Sequence, residues 1–180
     1  MTNLCNLVLG ALPEWYQTEY NEPIEAMGIS ILSIGGKTNG GANMLDLNNW
    51  GIPWVALIDG DSLKPGSGNI WAEIEKTECM TNEKANCLRG LSFEDQVKRL
   101  QEFEIYVMGT SSVGNFEKVL EAENPCVRPN SLFGSKVIEG RWWAQNIGCP
   151  PIVKGVFERI RKTASLQPGD ISNLVSESDA

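Results

Sequence analysis

The 180-residue chain contains no histidine, and its five cysteines (Cys5, Cys79, Cys87, Cys126 and Cys149) include no C-x-x-C pair. The first absence rules out a histidine-dependent triad, and the second leaves neither a zinc site nor a disulfide framework to be expected. Scattered thiols of this kind fit a reducing cytosol, most of them serving as small core residues. No apolar run is long enough for a membrane span, and no basic region precedes the short apolar segment at the N-terminus, so a membrane protein and a secretory signal are both unsupported. Basic charge is scarce. Fifteen Lys and Arg against 23 Asp and Glu give a formal charge of −8, the opposite of the basic stripe carried by self-sufficient nucleic-acid binders. Any contact with DNA would have to be local, metal-assisted or shared with a partner. What remains is a cytoplasmic chain of one domain, able to bury about two-thirds of its unfolded surface.

The most informative stretch is Gly51-Ile-Pro-Trp-Val-Ala-Leu-Ile-Asp-Gly-Asp61. Trp54 to Ile58 is apolar on both faces, which predicts a strand buried between two helical layers. It ends in acid. With strand periodicity Asp59 and Asp61 point to one side, and Gly60 between them lets the backbone turn or a ligand approach. Open parallel sheets bind ligands beyond the carboxyl ends of their strands, where this pair would lie. Two close carboxylates repel unless a cation lies between them, and Mg²⁺ is the hard, oxygen-seeking ion that suits them. The competing reading is a solvated Asp-Gly turn.

From the N-terminus, the spacing of Leu4, Leu7, Val8, Ala11, Leu12 and Trp15 predicts a helix over 3–20. Ile29 to Ile34 reads as a second buried strand, followed by Gly35-Gly-Lys-Thr-Asn-Gly-Gly41. A Walker loop needs its lysine and hydroxyl after the last glycine, whereas Lys37 and Thr38 stand among the glycines. A tight strand-to-helix turn, with Lys37 facing the sheet's carboxyl edge, fits better. Met44 to Trp50 then forms a short crossover helix. Ser62 to Gly90 is polar, turn-rich and aperiodic, long for a loop, and reads as an insertion or lid with one helical turn near Ile70, Trp71 and Ile74. Ser92, with Asp95 three residues on, caps an amphipathic helix of Phe93, Val97 and Leu100. Ile105 to Met108 is a third strand. Asn115 caps the next helix, and Glu117 falls in its first turn, where the dipole favours an acid with or without chemistry. Ser135 to Ala144 looks helical, Pro151 opens the last helix, and residues 164–180 form a polar tail expected to be disordered. The class is α/β, with a mainly parallel sheet flanked by helices over residues 1–163.

Four motifs in order, Gly28-Ile-Ser-Ile-Leu-Ser-Ile-Gly-Gly-Lys-Thr-Asn39, Gly51 to Asp61, Gly114-Asn-Phe-Glu117, and Lys136 with Gly140-Arg-Trp-Trp-Ala144, resemble the TOPRIM nuclease domain of OLD-family (overcoming lysogenization defect) endonucleases. The resemblance spans residues 5 to 163. It implies a Rossmann-like TOPRIM fold and a DNA endonuclease dependent on Mg²⁺ or Mn²⁺, one or two ions, working with an ABC-type ATPase domain or subunit and open to homo-oligomerisation. By position it makes Asp59 and Asp61 metal ligands, Glu117 a further acid at the metal, and Lys136 the lysine that steadies the developing phosphorane charge.

The family pattern is also departed from. Members open this domain with a strand ending in Glu-Gly and a second Glu four residues on, positions that fall here at Met1 and Cys5. Neither side chain binds Mg²⁺, so the chain reads as a TOPRIM domain without its first strand. Two outcomes follow: a nuclease module completed by a partner, or a catalytically inactive TOPRIM remnant that binds protein through its open sheet edge.

Overall fold

The computed structural model describes residues 4–33, 39–64, 69–75, 81–112, 114–127 and 133–165, with backbone alone at 4–6 and 82. At its centre lie β1 (Ala56–Asp59) and β2 (Ile105–Met108), paired in parallel with Ala56 opposite Ile105 and Asp59 opposite Met108. Successive side chains of a strand point to opposite faces, and the two faces meet different cores. Leu57 and Met108 pack into one, with Leu7, Ala11, Trp15, Phe116, Trp143 and Phe157. Ala56, Ile58, Ile105 and Val107 pack into the other, with Met44, Ile70, Trp71, Ile74 and Leu100. The first layer is made by α1 (Leu4–Tyr20), α6 (Phe116–Glu123), α7 (Lys136–Asn146) and α8 (Pro151–Ala164). The second is made by α2 (Gly40–Asn49), α3 (Ile70–Glu75), α4 (Asn82–Arg89) and α5 (Phe93–Gln101). This is a helix-rich α/β arrangement, a small parallel sheet flanked by helices, consistent with a TOPRIM-like fold.

Locally encoded helix ends fall where the sequence puts them. Ser92 Oγ accepts from Asp95 N–H at 3.1 Å and Asn115 Oδ1 from Lys118 N–H at 2.9 Å, each satisfying one of the orphan donors of a first turn. Pro151 stands at the start of α8, where its missing N–H costs nothing.

Two expectations are corrected. Residues 29–33 form no strand: Ile29 and Ile31 lean on the first core while Leu32 is exposed. A strand exists only by pairing its backbone groups with a neighbour's, and the described sheet has two strands. Ile34 and the turn with Lys37 lie outside the described residues. The stretch from Ser62 to Gly90 has, among its described residues, two helices where one helical turn was expected. It contributes α3, α4, and the buried Leu63, Ile70, Trp71, Ile74 and Ala85 of the second core. Trp71 Nε1–H donates to buried Gln96 Oε1 of α5 at 2.7 Å. Buried Glu73 of α3 accepts the Gly41 N–H through Oε2 at 3.1 Å, closing the first turn of α2. The expected disordered tail lies, from residue 166, outside the described residues.

In the first layer α1 and α7 cross backbone to backbone. A Cβ on Gly10 would stand 2.0 Å from the Val137 carbonyl oxygen, and one on Gly140 would stand 1.9 Å from that of Leu7. Only glycine permits such an approach. Further along, Trp15 Nε1–H donates to Ile147 O at 3.3 Å, holding the far end of α7 to α1.

Candidate active site

Parallel pairing sends the loops after β1 and β2 off the same edge of the sheet. After β1 comes Asp59, the last strand residue, then a 3-10 turn over Gly60–Leu63 that carries Asp61. After β2 comes the segment that leads to Gly114 and α6. The two are joined at two points. Phe116 N–H donates to Asp59 Oδ1 at 3.0 Å, and Asp61 N–H donates to Gly114 O at 2.9 Å. The backbone of Gly114 lies so near that a Cβ there would meet the Asp61 Cβ at 3.0 Å. One acid is thus engaged through its side chain and the other through its main chain, both on the turn that opens α6. Asp59 thus accepts a donor from the N-terminal end of α6.

Glu117 follows Phe116 directly, and its carboxylate reaches α7: Lys136 Nζ donates to Glu117 Oε1 and to Glu139 Oε2, each at 2.8 Å. Burial pushes the Lys136 pKa down. The hydrogen bonds and charges of Glu117 and Glu139 together outweigh it, so the net shift is upward and the ammonium stays charged. Glu139 is nearly buried, its side chain 11% exposed, whereas Glu117 is 36% exposed. Ser135 Oγ caps α7 by accepting from Ile138 N–H at 3.3 Å.

Of the four residues named from the sequence, Asp59, Asp61 and Glu117 are thereby brought to one sheet edge along a single turn, and Lys136 meets Glu117. Sequence reading missed Glu139. The signal was present in the i,i+3 spacing from Lys136 on a helix, which puts the two side chains on one face.

The acids offer hard oxygen donors, and Mg²⁺ is commonly held by one or two carboxylates together with water. Asp59 and Asp61 fit that demand in chemistry. Among the described residues, no three side chains of His, Cys, Asp or Glu converge into one group, so Glu117 completes no three-ligand cluster in this arrangement. No described helix is long and apolar enough to cross a membrane.

Fold and site define a class: an α/β domain with acids gathered at the carboxyl edge of a parallel sheet. More specifically, residues 9–61 match the family described as overcoming lysogenization defect protein-like, TOPRIM domain, the resemblance read from the sequence. Domains of that family are nuclease-type modules that generally bind divalent metals. The match runs from α1 through Asp61; Glu117, Lys136 and Glu139 lie beyond it. No curated protein and no solved structure matches the chain.

Proposed function

We propose that the chain is the TOPRIM module of an OLD-type endonuclease, hydrolysing DNA phosphodiesters, with Asp59 and Asp61 as the ligands of Mg²⁺ or Mn²⁺ and Glu117 as a further acid beside them. The observation that supports this most directly is the doubled attachment of Asp59 and Asp61 to the Gly114–Phe116 turn, which carries Glu117 to the sheet edge the family uses. A divalent ion bound there would supply charge for the attacking and leaving oxygens of an in-line displacement. The protein's own part is positional. The turn ties Asp59 and Asp61 to the start of α6, and Lys136, paired with Glu117, would present an ammonium there for the charge that develops on phosphorus oxygens.

Among the described residues, several basic side chains are already paired with acids. Lys154 pairs with Glu19, Arg159 with Glu104, Arg161 with Glu22, and Arg89 with Glu75. Together with the net charge, this supports a partner that shares the DNA contact, and an ABC-type ATPase domain or subunit is the partner this reading implies. An inactive, protein-binding remnant is the second reading. It is favoured by the Lys136–Glu117 ion pair and by the lack of a three-acid cluster among the described residues.

Cleavage of supercoiled plasmid with Mg²⁺ or Mn²⁺, beside an Asp59→Ala, Asp61→Ala double variant, decides between them. Metal-dependent nicking lost in the variant upholds the nuclease. No cleavage by either protein, with or without an added ATPase partner, leaves the remnant.

A further inference from the structure

We propose that Glu139 is the positioning residue that keeps Lys136 at the acid edge, and that Glu117 is the partner Lys136 can release. The proposal rests on the nuclease reading for its purpose, though its geometry stands apart from it. Lys136 Nζ is equidistant from the two carboxylates, at 2.8 Å, but they are not equivalent. Glu139 is nearly buried and Glu117 more than a third exposed. Water competes for Glu117 and screens its attraction, whereas a buried carboxylate deprived of its cation would be left uncompensated.

Architecture separates them in the same sense. Lys136 and Glu139 share the first turn of α7, next to Gly140, which is seated against the Leu7 backbone of α1. Glu117 belongs to α6. A shift of α6 relative to α7, or a cation drawn to Glu117, parts Lys136 from Glu117 only. Lys136 then stays on Glu139, still charged and still at the edge. One acid is thus freed for metal without losing the lysine.

Acetylation by N-hydroxysuccinimidyl acetate, read at Lys136 by peptide mass spectrometry against exposed Lys118 as internal standard, reports how firmly Lys136 is held. In Glu139→Gln the Lys136 rate should rise about tenfold, the worth of one buried charged hydrogen bond. In Glu117→Gln it should rise by only about twofold, as for an exposed pair. Equal rises, or a larger one in Glu117→Gln, would overturn the proposal. Circular dichroism melts check that both variants fold, and a second arm needs no variant. With saturating Mg²⁺ the wild-type Lys136 should remain severalfold slower than Lys118, and convergence of the two rates would also overturn it. Titration calorimetry with Mn²⁺ keeps the two ideas apart: absence of binding sinks the metal site, while the comparison of the two variants still decides the role of Glu139.

Discussion

Replacing Gly140 with alanine places a methyl carbon 1.9 Å from the Leu7 carbonyl oxygen, 2.9 Å from its carbonyl carbon and 3.1 Å from Ala11 N. All three are main-chain atoms, so no side chain can swing aside. Ordinary contact begins at 3.4 Å, and the helices must part to reach it. That movement loosens the packing around Leu7, Ala11, Trp143 and Ala144, all buried in the first core. Overpacking of this sort costs about 3 kcal/mol. The better helix propensity of alanine returns about 1 kcal/mol. The expected net loss is about 2 kcal/mol, equivalent to a fall in Tm of roughly 4–8 °C for a chain of this size. Urea unfolding at 25 °C should show a lowered midpoint with an unchanged slope. Gly148→Ala is the control, since nothing lies within 4 Å of a Cβ there, and it should stay within about 0.5 kcal/mol of wild type. A midpoint for Gly140→Ala equal to or above wild type would refute the backbone-contact reasoning.

Asp59 should separate stability from ligation. Asp59→Asn keeps an oxygen to accept the Phe116 N–H and should unfold within about 0.5 kcal/mol of wild type while losing Mn²⁺ affinity by calorimetry; Asp59→Ala, which orphans that donor, should lose about 1–2 kcal/mol. Gln96→Ala removes the acceptor of buried Trp71 Nε1–H and should cost about 2–3 kcal/mol in chemical denaturation, and a neutral result would mean that α3 is not held to α5 by this bond. The Cys149 thiol is pushed from an ordinary 9.0 up to about 12, chiefly by burial, then by Glu19, with Lys154 opposing. Its folded form therefore keeps a proton that the unfolded chain gives up, so its contribution to stability is intact below pH 9 and is lost as pH rises toward 12. Cys149→Ala should flatten that alkaline decline. At pH 8 iodoacetamide should label exposed Cys87 and Cys126 and spare Cys149 in the native protein, and ready labelling at Cys149 would contradict its burial.

Features that a few neighbouring residues decide were legible in the sequence. Ser92 and Asn115 begin helices through bonds to residues three positions on, Pro151 begins one because it lacks an N–H, and the apolar run before Asp59 made a strand. Residues 29–33 have the same strand composition, but a strand is a relation between segments, and no residue among them encodes whether a neighbour is there. The stretch from Ser62 to Gly90 was read with too little helix for a related reason. Its apolar residues are few and aperiodic, and only the packing of Trp71 and Ile74 against α5 and the sheet assigns them to the core. At the site, the acid pair was singled out by type and spacing, whereas Lys136 came only from the family resemblance. The bond from Phe116 to Asp59 crosses 57 positions of chain, and the difference in burial between Glu117 and Glu139 depends on how α6 and α7 lie.

The N–H of Gly41 points at the Glu73 carboxylate, a partner 32 positions along the chain and itself only 3% exposed. Helix openings after glycine-rich turns are natural seats for phosphate. Here the seat is taken by the protein's own anion. A nucleotide arriving at that helix would have to evict a buried carboxylate from the Gly41 N–H, so Gly41 serves intramolecular docking.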